Sequence, residues 1–496
     1  MIKQENRTLP FSYHTFIFPF IWNNNGTVSR EQFEKCIHPH WILDERQDTP
    51  FDRELYAQYC YFNEAARNVI FTEKDNPNAT VRNFRFDFGA FNGDEQWLHG
   101  KKTKENNVRY VIRKGEFVAS LSVNGIRLRL FGTGVGMIVF ELENYQYNDE
   151  KSINIINELG RRIFMPFIAD DGHCPLCADE IALEYPNGKI TSVISGAELK
   201  RNSDIRFAEL IMFLLRRGEY SATTNPNPGE TQFFIEPIID DRMFVACVWN
   251  NANYVETLKQ DVDGQYRYLA DSLQKEPDGE NNAAGRLYEL VFIDGTGLSC
   301  QSKPMLHQML TDHIYSRWIE YGTITGVSEY SLVTVTGFPP NITAFLTEYI
   351  EMVMLVLVQR ASLLAFERQI GDCARGKLRV AEIQQAYVHF QSEYLLREVT
   401  PQQQGIELYN MLLQNLYIDE ARADVEKEIS ALFALQRDTS DRKDNKLLFI
   451  LAAFGVFDIV NFFIVQLSQQ NWNVLIPAAL VFAGIIYWFI RNHSKV

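Results

Sequence analysis

Two polar residues, Asp458 and Asn461, interrupt the apolar stretch FGVFDIVNFF. Three positions apart, they fall on one face of a helix. An ionisable side chain among apolar neighbours of this kind is expensive in hydrocarbon and needs a water-filled path or a partner. Several copies of that face around an axis would make an acidic ring of the sort that attracts cations. Within a simple anchor, the same two residues would serve only to join helices. Gln466, Gln470 and Asn471 follow, with Ser468 and Gln469 between them, and suit the mouth of such a path. A second cluster, GHCPLC, holds His173, Cys174 and Cys177. It is half of a zinc knuckle; structural zinc wants four ligands, no second pair stands nearby, and a turn with free thiols is the other reading.

Three further groupings offer anion chemistry. Arg127 and Arg129 alternate with Leu128, and together with Ser120 and Ser122 they form a Ser/Arg strip that is either a solvated sheet face or a holder for an anionic ligand. Asp240, Asp241 and Arg242 open an apolar run, and Arg317, Trp318 and Tyr321 set a cation beside aromatic surface. An adenine can stack on such a surface while arginine reaches phosphate; the competing reading is an internal ion pair between these two segments. Gly132, Gly134 and Gly136 lack the lysine and spacing of a phosphate-binding loop and join strand to strand, so a glycine turn or bulge is expected there, with Thr133 and Gly134 as its ligand candidates.

The elements that must position these residues come in two kinds. VRYVIR, FVASLSV, IRLRLF and MIVFELE, separated by Lys114-Gly115, Asn124-Gly125 and GTGVG, read as an antiparallel meander. A two-residue turn at Asn124-Gly125 would pair Val123 with Ile126, Leu121 with Leu128 and Ala119 with Leu130 on one face. Further strands are expected at 14–22, 242–249, 286–293 and 330–336, and helices at 153–167 and 205–217. Residues 343–370 form an unbroken helical run whose apolar stretch is interrupted by Glu351, Gln359 and Arg360, which predicts a buried helix rather than a membrane span. Beyond Pro401, the stripe Ile418, Ala421, Val425, Ile429, Leu432 predicts one long helix leading toward the C-terminal apolar runs; it packs either within one subunit or against further copies.

Those runs, 447–467 and 474–490, contain 21 and 17 residues, against about 20 for a helical span. Arg442, Lys443 and Lys446 precede the first, Arg491 and Lys495 follow the second, and the connector SQQNWN is uncharged. The positive-inside rule puts both ends in the cytoplasm of a multi-pass protein of the cell membrane; a buried soluble hairpin is the alternative. The apolar stretch 15–22 is short, contains Pro19 and reads as a strand rather than a signal peptide. A net charge of −15 argues against nucleic-acid binding, and seven scattered cysteines argue for reduced thiols rather than a disulfide framework.

A large acidic α/β region, a long helix and a C-terminal two-span hairpin together resemble the CorA-like superfamily of metal-ion channels. Where that family carries a Gly-Met-Asn filter motif, this chain reads QLSQQNWN. FIFPF, LFGTGVGMIVFELEN, INELGRRIF, IIDDRMFV and YSRWIEYGTITGVSEYS further resemble the CorA-like membrane effectors associated with type III CRISPR systems. The resemblance implies an α+β (mixed α/β) cytoplasmic sensor over 1–342, a helical region and stalk over 343–445, and a transmembrane hairpin over 446–496. It also implies a homo-oligomeric, commonly pentameric, pore in the bilayer, switched by a nucleotide-type second messenger such as a conjugate of S-adenosylmethionine and AMP; with no hydrolase, kinase or nuclease motif in the sequence, no enzymatic activity is expected. A constitutive divalent metal-ion transporter and a tail-anchored nucleotide-processing enzyme, with a divalent cation held by Asp240 and Asp241, are the alternative expectations.

Overall fold

The computed structural model describes residues 9–22, 29–44, 53–89, 108–163, 176–186, 188–192, 209–215, 235–240, 242–260, 283–294, 299–376 and 378–435, together with 461, 464, 465, 473, 476 and 477. The chain divides into two compact units, 1–426 and 427–496.

The first unit is mixed α/β and is organised by one 13-stranded sheet. Its strands are β1 (Ser12–Ile21), β2 (Trp41–Leu43), β3 (Val81–Phe86), β4 (Arg109–Lys114), β5 (Phe117–Phe131), β6 (Val135–Asn144), β7 (Glu180–Tyr185), β8 (Gly188–Ser192), β9 (Glu236–Pro237), β10 (Phe244–Asn250), β11 (Ile314–Tyr315), β12 (Thr323–Val327) and β13 (Ser331–Thr336). The spatial order is β11-β12-β13-β10-β1-β6-β5-β4-β7-β8, with β3 on β5, β2 on β3 and β9 on β1. Among the described strands only the β10–β13 pair is parallel, bridged by the helices Ala252–Gln260, Ala283–Phe292 and Lys303–His313.

Both faces of the sheet centre are covered, which is why β1 reads as the nearly continuous apolar run FIFPFI. Phe16, Phe18 and Phe20 belong to one core with Leu128, Leu130, Ile138 and Phe140, closed by Ile153 and Ile156 of the helix Glu150–Gly160 and by Leu287 and Leu290. The alternate residues Ile17 and Ile21 are buried outside that core. Strand side chains alternate between faces, and the helix Pro339–Ala374 packs over β1 and β6 on the second face. By length and composition this helix could cross a membrane (mean hydropathy 1.6), but 89% of its apolar window is buried inside the fold, as expected for a core helix. It begins with two prolines, widens into a π-helical turn at Phe345–Tyr349 and continues as α-helix from Ile350 to Ala374.

Two sequence expectations are corrected. Asn124-Gly125 is not a hairpin turn: β5 runs through it as a single 15-residue strand, and the register against β6 slips by one residue between Val123 and Gly125. The first half of β5 pairs with β4 and the second with β3 along the same edge, so partners on both sides hold the strand straight where Asn-Gly alone would turn it. The bulge keeps Ala119, Leu121, Val123, Ile126, Leu128 and Leu130 on one buried face, the grouping a hairpin also predicts. The segment 286–293, expected as a strand, is the helix Ala283–Phe292, whose Leu287, Leu290 and Val291 share one face at helical spacing. Lys114-Gly115 does turn the chain: Gly115 takes φ +55°, and Lys114 pairs with Phe117 across a two-residue loop.

Residues 418–426 are helical, and Ile418, Ala421 and Val425 are buried within the single chain. In the second unit, 427–435 is helical, as are the described residues Asn461, Ile464, Val465, Asn473, Ile476 and Pro477.

Candidate functional site

The best-built cluster of charge lies where the helix Glu150–Gly160 ends. Asp149 caps its start by accepting from the Ser152 amide at 2.9 Å. Its apolar side rests on β1, β4 and β10, and that docking fixes the last turn, where Glu158 is 5% exposed. The Glu158 carboxylate serves two arginines. Oε2 accepts from Arg161 Nη2 at 3.0 Å, while Oε1 accepts from Arg162 Nε at 2.9 Å and also from Arg162 Nη2.

Arg161 is 2% exposed. Beyond Glu158, its Nη2 donates to the Ile293 carbonyl at 3.3 Å, but Nε and Nη1 are buried without any acceptor. Burial pushes this guanidinium down to about 10; Glu158 opposes the shift, and the neighbouring Arg242 and Arg162 charges reinforce it. A buried cation is normally paired and fully hydrogen-bonded, because leaving donors unmade costs about 1–3 kcal/mol each and more for charged groups.

Arg242 is brought beside this pair by backbone contacts: Arg162 and Arg242 form an antiparallel bridge, and the Met243 amide donates to the Arg161 carbonyl at 2.9 Å. Arg242 Nε donates to Asp240 Oδ2 at 2.9 Å, and Nη2 lies 2.7 Å from the same oxygen. Tyr330, on the turn between β12 and β13, stacks with both cations, with Arg242 Cζ 4.7 Å and Arg161 Cζ 5.6 Å from its ring centre. At 37% exposure, Tyr330 connects the buried arginine to solvent. Among the described residues the cluster brings three guanidinium groups and two carboxylates beside one aromatic ring.

Of the residues singled out from sequence, Arg242 belongs to this cluster; Asp241 lies outside the described residues. Arg161, Arg162, Glu158 and Tyr330 were missed as site residues. The signal for them was a Glu three and four positions before an Arg-Arg pair at the end of an apolar helix.

The other candidates lie elsewhere. Arg127 and Arg129 form neither a solvated face nor an open anion site. Arg129 Nη2 binds Glu351 Oε1 at 2.6 Å, Arg127 Nη1 reaches the same oxygen at 3.2 Å, and Arg127 Nη2 binds Glu141 at 2.6 Å. Arg317 pairs with Glu407 at 2.6 Å, not with the Asp240 segment, which corrects the expected ion pair between the two stretches. Its Cζ sits 5.6 Å from the Trp318 ring, and the Trp318 and Tyr321 rings are 5.8 Å apart at the surface. The glycine turn is a turn: Gly134 takes φ +87°, and a Cβ on Gly136 would lie 2.5 Å from the Phe20 ring. Thr133 accepts from the Ser362 hydroxyl at 3.0 Å and lines a cleft of about 510 Å³ with Glu236, Arg368, Asp372 and Arg375.

His173 and Cys174 lie outside the described residues. Cys177 is buried, and the six described cysteines are all free. Among the described residues there is no cluster of metal ligands. Of the expected pore residues, Asn461 is helical and exposed, while Asp458, Gln466, Gln470 and Asn471 lie outside the described residues. No family model, no curated protein and no solved structure matches this chain.

Proposed function

We propose that this protein is a ligand-gated, self-assembling membrane channel or membrane effector of the CorA-like kind, acting in type III CRISPR antiviral defence. In this reading the sheet unit binds a nucleotide-type second messenger, such as a conjugate of S-adenosylmethionine and AMP, and the C-terminal hairpin responds with both chain ends in the cytoplasm. One observation carries the membrane part: Ile464, Val465 and Ile476 are helical and 56%, 48% and 58% exposed, within runs of spanning length. Apolar side chains so placed call for lipid or another copy of the chain. The buried Nε and Nη1 of Arg161 support the ligand part, since a phosphate would supply the acceptor that they lack.

Gating requires that the ligand bind two states of the protein with different free energy. The purified chain reconstituted in liposomes is expected to pass ions when the S-adenosylmethionine–AMP conjugate is added and to need about tenfold more of it in the Arg242→Gln chain. Asp458→Ala is expected to alter conductance or selectivity. Divalent flux that is the same with and without the conjugate would instead identify a constitutive metal transporter.

A further inference from the structure

The π-helical turn Phe345–Tyr349 is the one such turn among the described residues, and it interrupts a helix that is otherwise regular from Pro339 to Ala374. A π-turn inserts an extra residue into the helical winding at an energetic cost, so something local must favour it. Here it packs against the helix Arg53–Tyr61, where Gln58 Nε2 donates to the Thr347 carbonyl at 2.6 Å. Glu348 sits in the turn, half-buried, and among the described residues no cation and no hydrogen-bond donor meets its carboxylate. The groups facing it are phenols. Tyr61 comes from the neighbouring helix, its hydroxyl buried beside Thr400; Tyr349 is next in the chain; and Tyr315 lies beyond them on β11. The ion pair Arg317–Glu407 is engaged with Tyr315 rather than with Glu348. Gly405 closes the other side: a Cβ there would meet the Tyr61 hydroxyl at 2.3 Å.

We propose that Glu348 and its π-turn form a proton-operated catch on the core helix: with the carboxyl protonated the turn stays packed against the helix Arg53–Tyr61, and with it ionised the turn opens to water. A carboxylate among phenols with no counter-charge disfavours its charged form. Burial accordingly raises Glu348 to about 7 from the ordinary 4.5. The sign follows from linkage. The packed state binds the proton more tightly than the open one, so packing is fully favoured below about pH 4.5 and weakens as pH rises toward 7. From pH 6 to pH 8 the opening constant rises about tenfold, the window between these two titrations still being partly uncrossed at pH 6. Glu351 lies one turn further along the same helix and holds Arg127 and Arg129, so the catch adjoins the tie between helix and sheet.

The test is hydrogen exchange on the full-length chain, read on peptides covering 345–350 and corrected for the intrinsic pH dependence of exchange. The wild type is expected to lose about tenfold protection there between pH 6 and pH 8, while the helix Gln403–Asn415 stays unchanged. Glu348→Gln, which keeps the shape and removes the titration, is expected to abolish the step and to keep the pH 6 protection at pH 8. A wild type with no local step overturns the proposal without any variant. An equal step in the glutamine chain overturns it as well.

Discussion

The protein contains two pairs of closely spaced arginines removed from water, and they are treated in opposite ways. Arg127 and Arg129 on β5 meet Glu351 from the core helix and Glu141 from β6, two carboxylates for two guanidinium groups. Arg161 and Arg162 share the single carboxylate of Glu158, with Arg242 adding a third cation and Asp240 its own partner. The first pair is a joint: its charges hold a helix against a sheet face. The second pair leaves Arg161 Nε and Nη1 buried without an acceptor, which is the opening the proposed ligand would fill. Two arginines at nearby positions therefore say little until the carboxylates around them are counted.

The largest expected effect breaks the joint. Glu351→Ala leaves two buried guanidinium groups short of a partner and is expected to cost about 3–5 kcal/mol, visible as a large drop in melting temperature; the paired change Arg129→Met with Glu351→Met should recover most of it. Next comes the incomplete pair. Arg161→Met leaves Glu158 with Arg162 alone, so stability should fall by less than about 1 kcal/mol or rise. The same change should erase the ligand-induced thermal shift, about 2.7 kcal/mol at a hundredfold excess over Kd. If Arg161→Met unfolds the protein as Glu351→Ala does, the contrast between the two pairs disappears. Arg242→Gln, at the partly exposed lip, should weaken ligand binding about tenfold, or about 1.4 kcal/mol. Arg317→Gln, whose ion pair is at the surface, should leave both melting temperature and ligand shift unchanged; a clear loss of ligand response there would move the binding site to the Trp318 surface.

The strands 14–22, 242–249 and 330–336 were legible in the sequence because each is an apolar run bounded by turn residues. Their order was not, since β1 sits between β6 and β10, and no local signal announces partners more than a hundred positions away. The inward face of β5 was readable from alternation, but the strength of Asn-Gly as a hairpin signal hid the fact that a long strand with partners on both edges can pass through it as a bulge. The run 286–293 is short and apolar, where strand and helix patterns overlap; its burial at helical spacing settled it only in three dimensions. For the site, Arg242 was recognisable as a cation beside acids. Arg161 was not, because what distinguishes it is that two of its buried donors, Nε and Nη1, lack an acceptor where Arg127 and Arg129 each leave only Nε so, a property of packing rather than of residue type.

The tie between Arg129 and Glu351 spans 222 positions. A chain made at about 5–20 residues per second delivers Glu351 some 10–45 s after Arg129. Over that interval Arg127 already has Glu141 within reach on the neighbouring strand, while Arg129 waits for its carboxylate. Burying an unpaired guanidinium is costly, so the charge that later fastens the helix also opposes any earlier closure of that face on itself.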